Sequence, residues 1–374
     1  MADIAQPTPL PKPKASLTGW RNRLVASRKF QKWAAKFPLT RDKARRDGEA
    51  MFDLVAGFVH SQTLMALVEL EVLEALLQRP MTTAQLAHCA SIPENRMGVL
   101  LRAGAALDLL AQKRGTYSLT QKGAALIGVP GLAQMIKHHR VLYRDLEDPA
   151  AFLRGETKTE LADFWPYVFG AGAAEDPETA QTYSDLMAES QQLVAEDTLR
   201  MVPFKGTDHL LDIGGGTGAF LAEVGALYPK LPVTLFDLPA VVPEARARFE
   251  AAGMAGRTTI TSGSFRDDPL PDGADTISLI RVLYDHADAT VADLMSKCFD
   301  SLPDGGRLVI SEPMLGSRAG DVYFAFYTMA MRTGRTRSCA EISDICRRAG
   351  FGRVEVPKAP RPFVTSAVIA HKTV

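Results

Sequence analysis

The rhythm of apolar and polar positions changes several times along the chain. Residues 1–14 are rich in Pro and Lys (PTPLPKPK) and offer almost nothing to bury, which predicts a disordered tail. From Trp20 onward, Trp20, Leu24, Phe30, Trp33, Ala34 and Phe37 interleave with basic residues at near-helical spacing, as in an interfacial amphipathic helix. Residues 50–79 are long, strongly apolar and free of Pro, and predict one or two buried helices. Residues 81–123 read as helix, turn, helix and short hairpin, with Thr82 or Thr83 as N-cap and Gly115 in the turn; that is a winged-helix pattern. Residues 130–205 are helical with interruptions, and the stretch 179–201 reads as a helix ending before Pro203.

From His209 the pattern alternates between strand and helix. HLLDI, PVTLFDL, TTITSGS, DTISLIRVL and GRLVISEP read as strands, and two more follow in FGRVEVPK and PRPFVTSAVIA. Helices fall between them at GAFLAEVGALY, AVVPEARARFEAAG and Val291 to Leu302. This predicts a doubly wound α/β domain behind an α-helical, winged-helix-bearing one. The expected division is a basic arm over 1–46, a helical domain over 47–205 and a Rossmann-like domain over 206–374.

Length and composition agree with two globular units, since 374 residues at 46% hydrophobic can bury two cores. Cys89, Cys298, Cys339 and Cys346 are scattered without CxxC spacing or a companion His at zinc-finger distance, so no disulfide framework and no metal are expected. No signal-like segment and no run of eighteen apolar residues occurs, and a cytoplasmic protein is expected. The net charge is zero, but residues 11–46 carry twelve Lys or Arg against Asp42 alone, so that segment is +11 and the remainder −11. Such an arm suits either the surface of an anionic membrane or packing on its own protein or a second subunit.

A winged helix raises the question of DNA. The helix that would enter the groove, 94–110, carries Arg96 and Arg102 with Asp108 near its end, too few cations to neutralise phosphates, so packing or dimerisation is favoured and no nucleic acid is expected.

The first strand of the second domain runs into Asp212-Ile213-Gly214-Gly215-Gly216-Thr217-Gly218. Glycines there allow positive φ and close approach of a ligand to the backbone, and the helix that follows favours electron-rich groups at its N-terminus. Asp237 closes the second strand, where a carboxylate can accept hydrogen bonds from both hydroxyls of a ribose. A nucleoside-bearing cofactor belongs there. Gly214, Gly216 and Ala219 also satisfy the dinucleotide fingerprint, so a nicotinamide oxidoreductase stands as an alternative, as does a winged-helix regulator that senses a ligand. Against the first, no further domain follows to hold a hydride acceptor.

The combination LDIGGGTG, LFDLPAVV, SGSFRDDPLP, LIRVLYDHAD, GGRLVISEPML and GRTRSCAEISDICRRAGF, in order from residue 50 to the end, resembles the small-molecule O-methyltransferases of the caffeate and acetylserotonin type. The resemblance implies S-adenosylmethionine as cofactor, a seven-stranded sheet with its last strand antiparallel, and a homodimer built through the winged-helix region. Position by position, it implies that Gly214, Gly216 and Gly218, with Asp212, line the methionine and ribose part and that Asp237 and Leu238 hold the ribose. It sets Ser264 and Phe265 against adenine, Ser264 standing where the family has Asp, and puts Arg281 and Ser190 toward the methionine end. The usual base position of the family holds Tyr284. His286 lies two positions on, and an extended backbone would put both side chains on one face. Of the two acids that flank the family's base, Glu312 is present and the other is Thr336. Met187, Phe324, Tyr327 and Met331 would line the acceptor pocket.

Within the family the segments FDLVAGFVHSQTL, RVLYDH and YFAFYTMAMRTGRTRS are most similar to the carotenoid branch of purple photosynthetic bacteria, which implies a hydroxyneurosporene or demethylspheroidene acceptor. A bacteriochlorophyll C-methyltransferase and a phenol O-methyltransferase are the alternatives within the resemblance. A carotenoid resides in a bilayer, so the basic arm would give a peripheral contact with the inner or photosynthetic membrane.

Overall fold

The computed structural model describes residues 17–164 and 190–373. The basic arm is not one helix. It forms α1 (Leu17–Ala26) and α2 (Arg28–Ala34), broken at Ser27, whose side chain caps the Phe30 amide at 3.3 Å. The long helix α3 (Arg41–Glu69) follows and runs without a break across residues 46 and 47, where the arm was expected to end.

Residues 51–59 of α3 correct the expectation of burial. Phe52 is 68% exposed, Leu54 80% and Phe58 70%, so this apolar face lies bare on the single chain. By length and composition α3 could cross a bilayer. Its C-terminal end does otherwise: Met65, Leu67 and Val68 are buried in the core of the winged-helix unit.

That unit continues through α4 (Val72–Gln78), β1 (Met81–Thr82), α5 (Thr83–Cys89), α6 (Glu94–Ala106), β2 (Leu110–Lys113) and β3 (Thr116–Leu119). Thr82 is the N-cap of α5 and forms a capping box with Gln85. The wing turns at Arg114 and Gly115, both with positive φ (50° and 82°), the conformation a two-residue hairpin of this twist requires. Helices α7 (Gln121–Ile127), α8 (Leu132–Asp145), α9 (Pro149–Leu153) and α10 (Glu160–Phe164) lead on, and a helical stretch over 190–201, α11, precedes the sheet.

The second unit contains β4 (Leu210–Ile213), α12 (Ala219–Leu227), β5 (Val233–Asp237), α13 (Val242–Ala251), β6 (Thr258–Ser262), β7 (Thr276–Ile280), α14 (Asp288–Ser301) and β8 (Arg307–Glu312). A π-helical segment, Ala319–Phe324, passes into α15 (Ala325–Met331); α16 (Cys339–Arg348), β9 (Arg353–Glu355) and β10 (Ser366–His371) complete it. The seven strands lie in the order β6-β5-β4-β7-β8-β10-β9, and the last strand in sequence, β10, runs antiparallel between β8 and β9. Strands β4, β5, β7 and β8 are buried along almost their whole length because helices cover both faces, and their residues are mainly apolar. On one face α14 and α16 pack through Leu294, Met295, Ile342 and Cys346; on the other, α11, α12 and α13 pack through Val194, Phe220 and Phe249.

Chain order reverses between β4 and β7, so a ligand crevice opens at their carboxyl ends. A smaller cluster joins the two units. Leu142 of α8, Phe152 of α9 and Leu161 of α10 pack against Tyr327, Ala330 and Met331 of α15.

Candidate active site

At the carboxyl end of β4 the loop carries three left-handed glycines, Gly214 (φ 68°), Gly216 (φ 60°) and Gly218 (φ 74°). They differ in what fixes them. A Cβ on Gly218 would lie 2.4 Å from the Phe249 ring, so packing alone forbids a side chain there. A Cβ on Gly216 would meet nothing within 4 Å, which leaves that backbone open to a ligand.

Asp237, at the end of β5, reaches over the loop. Its Oδ2 accepts from the Gly216 amide at 2.6 Å and its Oδ1 from the Leu238 amide at 2.7 Å, which hold the carboxylate at the crevice. Burial raises its pKa and these two bonds pull it back.

Asp212 lies beneath the loop. Its Oδ1 accepts from Ser278 Oγ at 2.6 Å, its Oδ2 has no hydrogen-bond partner among the described residues, and a Cβ on Gly215 would fall 2.3 Å from that oxygen. Burial pushes this carboxyl up to about 7. Asp212 therefore shapes the loop from below rather than presenting an oxygen to the crevice.

After β6, the Ser264 amide donates to Asp268 Oδ2 at 2.7 Å and its hydroxyl to Asp267 Oδ2 at 2.9 Å, a local turn that presents Phe265. Phe265 meets the His286 ring edge-on at 5.1 Å.

The segment after β7 departs from expectation. Leu283–Asp285 is a 3₁₀ turn, not extended chain, so the shared face expected for Tyr284 and His286 does not exist. The two side chains have different neighbours. His286 Nδ1 accepts from Arg266 Nη2 at 3.0 Å, and burial beside Arg266 and Arg337 pushes its pKa down to about 4. Its imidazole is neutral at pH 7 and stands with the Ser264–Phe265 turn. The Tyr284 hydroxyl instead accepts from Arg281 Nη2 at 3.4 Å, and its ring faces Phe324 edge-on at 6.1 Å.

Arg281 has a left-handed backbone (φ 60°), and its Nη1 donates to Ser190 Oγ at 2.8 Å. That strained position turns the guanidinium toward α11, and Ser190, Arg281 and Tyr284 become contiguous although 94 residues of sequence separate the first from the last.

Glu312 is fully buried at the end of β8. Its Oε2 accepts from the Leu283 and Tyr284 amides at 2.9 and 3.1 Å, and burial pushes its carboxyl up to about 7. It thus caps the turn that carries Tyr284.

Sequence reasoning missed the opposite clamp on that turn. Arg337 is wholly buried; Nη1 donates to the Leu283 carbonyl at 2.8 Å, and Nη2 to the His286 carbonyl at 2.9 Å and to Asp288 Oδ1 at 2.6 Å. Thr336, the residue at the family's second acid position, is buried beside it.

The acceptor-side expectations divide. Phe324 faces Tyr284. Tyr327 and Met331 are buried within the cluster between α15 and α8, Met331 at 1% exposure, while Tyr323 packs at the edge of that cluster with its ring edge-on to Phe324 at 4.9 Å. Met187 lies outside the described residues. Two histidines of α8 were also missed. His138 Nε2 lies 2.9 Å from Tyr327 Oη, and His139 Nε2 lies 2.8 Å from Tyr323 Oη. No sequence motif announces them, since their partners are 189 and 184 positions away.

Similar proteins fit this arrangement. The O-methyltransferase domain family matches residues 143–352, beginning ahead of β4, and the O-methyltransferase dimerisation domain family matches residues 52–128. The chain is 54% identical to the demethylspheroidene O-methyltransferase of Cereibacter sphaeroides, over 93% of each chain. It is 51% identical to that of Rhodobacter capsulatus, over 94% of this chain and 88% of the relative. Among solved structures, human N-acetylserotonin methyltransferase in complex with SAM superposes with a TM-score of 0.76 at 24% identity, covering 88% of this chain and 98% of that one. With a family match over more than half its length and relatives this similar over nearly all of it, the chain belongs to the S-adenosylmethionine-dependent O-methyltransferase family.

Proposed function

We propose that the enzyme methylates the hydroxyl of a hydroxylated carotenoid of the demethylspheroidene or hydroxyneurosporene type, in spheroidene-type carotenoid synthesis. The observation that carries this reading is 54% identity over 93% of both chains to a demethylspheroidene O-methyltransferase, an extent that leaves no domain unmatched. Incubation with labelled S-adenosylmethionine and a panel of hydroxylated carotenoids, phenols and bacteriochlorophyllides tests it. Label is expected in a carotenoid methyl ether; label confined to a phenol, or on carbon, would refute it.

Bound S-adenosylmethionine supplies an electrophilic methyl group on a sulfonium. The open backbone at Gly216 and the Asp237 carboxylate at the crevice fit such a nucleoside cofactor. In this reading Gly214, Gly216 and Gly218 accommodate its methionine and ribose part, Asp237 and Leu238 its ribose hydroxyls, and Ser264 and Phe265 its base. The Arg281–Ser190 pair offers a cation for its carboxylate. Tyr284, Phe324 and Tyr323 would exclude water around the acceptor oxygen. In-line displacement depends mainly on positioning, which alone can supply effective molarities of ~10⁵ M or more, while general-base assistance adds about 10²- to 10⁴-fold. Glu312 and Arg337 act here by fixing the Tyr284 turn, and His286 by buttressing Phe265.

The dimerisation-domain match supports a homodimer. We assign the bare face of α3 to the partner subunit, because its apolar residues lie inside the matched segment. The residues before Arg41 lie outside it. We assign α1 and α2 to peripheral docking on an anionic membrane, and the arm, the helical unit and the Rossmann-like unit remain our division of the chain.

A further inference from the structure

Tyr284 and His286, the two side chains nearest the family's base position, are each engaged by a guanidinium. Arg281 donates to the Tyr284 hydroxyl and Arg266 to His286 Nδ1. A base that already accepts from a cation is a poor place to deliver a proton. On its way out of an alcohol the proton needs a neutral acceptor, directly or through one intervening hydroxyl.

His139 meets that requirement. Its Nε2 lies 2.8 Å from Tyr323 Oη, the rings meet edge-on at 5.3 Å, and burial keeps the imidazole below its ordinary pKa and therefore neutral. Tyr323 has a single proton to donate. An imidazole nitrogen at 2.8 Å takes it in preference to the Met135 thioether at 3.5 Å, a weak acceptor, which leaves a lone pair on the phenol oxygen. The Tyr323 ring packs edge-on against Phe324 at 4.9 Å, and Phe324 packs against Tyr284 at 6.1 Å. Tyr323 also lies within electrostatic reach of both Arg281 and Tyr284. Tyr323 and Phe324 close the π-helical segment, the irregularity that often marks a functional site in a helix.

We infer that Tyr323 and His139 form the proton outlet of the methyl transfer, the phenol relaying the acceptor's proton to the imidazole. The inference rests on the reading of the acceptor as an aliphatic hydroxyl, too weak an acid to ionise beforehand. A lone pair of the acceptor oxygen forms the new bond to the methyl group, and the electron pair of the broken C–S bond stays on sulfur. The acceptor's proton passes to the Tyr323 oxygen as Tyr323's own proton passes to His139 Nε2. The products are a neutral methyl ether, S-adenosylhomocysteine and an imidazolium that returns its proton to water.

The test combines a spectroscopic readout with kinetics on the full-length protein. In ¹⁵N histidine NMR of the wild type, His139 should carry its proton on Nδ1 and accept at Nε2, and Tyr323→Phe should shift the Nε2 signal. A proton found on Nε2 would overturn the relay whatever the kinetics. With demethylspheroidene as acceptor, Tyr323→Phe and His139→Ala should each lower turnover by about 10²-fold with S-adenosylhomocysteine affinity unchanged within about twofold. The double variant should be no slower than either single one, and added imidazole should restore His139→Ala at least partly. Turnover of folded Tyr323→Phe within threefold of wild type would sink the inference, as would a loss in His139→Ala that imidazole leaves untouched. If wild-type enzyme binds S-adenosylhomocysteine but leaves demethylspheroidene unmethylated, the acceptor reading fails, and the NMR result still decides the relay.

Discussion

Arg337 Nη2 donates to the main-chain carbonyl of His286 at 2.9 Å from a wholly buried position, so one guanidinium sets the path of the turn that carries Tyr284. Replacing it with Met would remove that partner from the His286 carbonyl and leave Leu283 O only the His286 amide at 3.1 Å. A buried acceptor left unsatisfied costs about 1–3 kcal/mol, and the cavity adds to it. We predict that Arg337→Met lowers Tm by roughly 5–10 °C and turnover by more than tenfold. Arg337→Lys should recover little, because an ammonium cannot span both carbonyls and Asp288. Calorimetric melting with activity at a temperature below both transitions checks this, and an unchanged Tm would deny the clamp its role.

Asp237 gives the second prediction. Two charge-assisted hydrogen bonds to ribose hydroxyls are worth about 1.5–3 kcal/mol each. In Asp237→Ala the Gly216 and Leu238 amides would also lose their acceptor, loosening the loop. The dissociation constant for S-adenosylhomocysteine should rise by at least about 100-fold, read by titration calorimetry on protein whose circular dichroism is unaltered. Unchanged affinity would place the ribose elsewhere.

The third prediction concerns pH. Burial raises the carboxyl of Glu312 from 4.5 to about 7 and that of Asp212 from 3.8 to about 7. The folded state therefore binds these protons more tightly than the unfolded state does. Their contribution to stability is fully present below the unfolded values and is lost as pH rises through 7. His138 and His286, lowered from 6.5 to about 4, contribute the opposite slope below 6.5. The informative window is thus pH 6.5–8, where the wild type should lose Tm as pH rises and Glu312→Gln should lose less. Identical slopes for the two proteins would mean that Glu312 is already ionised throughout.

How much of this was legible in the sequence depends on the range of the interaction concerned. The Gly214–Gly218 loop, Asp237 and the capping box of Thr82 are local chemistry, where residue type and spacing dictate backbone conformation, and the sheet follows from apolar strands alternating with helices. The Tyr284–His286 face was misjudged because its conformation is imposed from outside, by Glu312 on one side and Arg337 on the other. Arg337 and His139 carried no signal, since an arginine or histidine on a helix or loop reads as surface until a partner far along the chain is known. Met51 to Val59 show the complementary limit: apolar periodicity says that a face will be covered, not whether its own chain or another covers it.

The last prediction concerns α1 and α2. The helix α3 begins at Arg41, so a chain starting there removes α1 and α2 without cutting α3, whereas one starting at residue 47 would cut it. The truncation takes away eight Lys or Arg and no acid other than Asp3. Each basic residue near an anionic leaflet is worth roughly 1 kcal/mol, and insertion of Trp20 and Trp33, which stand 66% and 50% exposed, would add to that. Full-length protein should sediment with anionic liposomes at low salt and come off at high salt, as screening shortens the reach of the charges. The chain from Arg41 should stay in the supernatant with its S-adenosylhomocysteine affinity intact, and should methylate a membrane-embedded acceptor slowly but a detergent-dispersed one at the full rate. The competing role for the arm is to strap two subunits together, and it predicts a different change, a fall in molar mass by light scattering without a change in pelleting. Equal pelleting of both forms would remove the arm as the membrane contact.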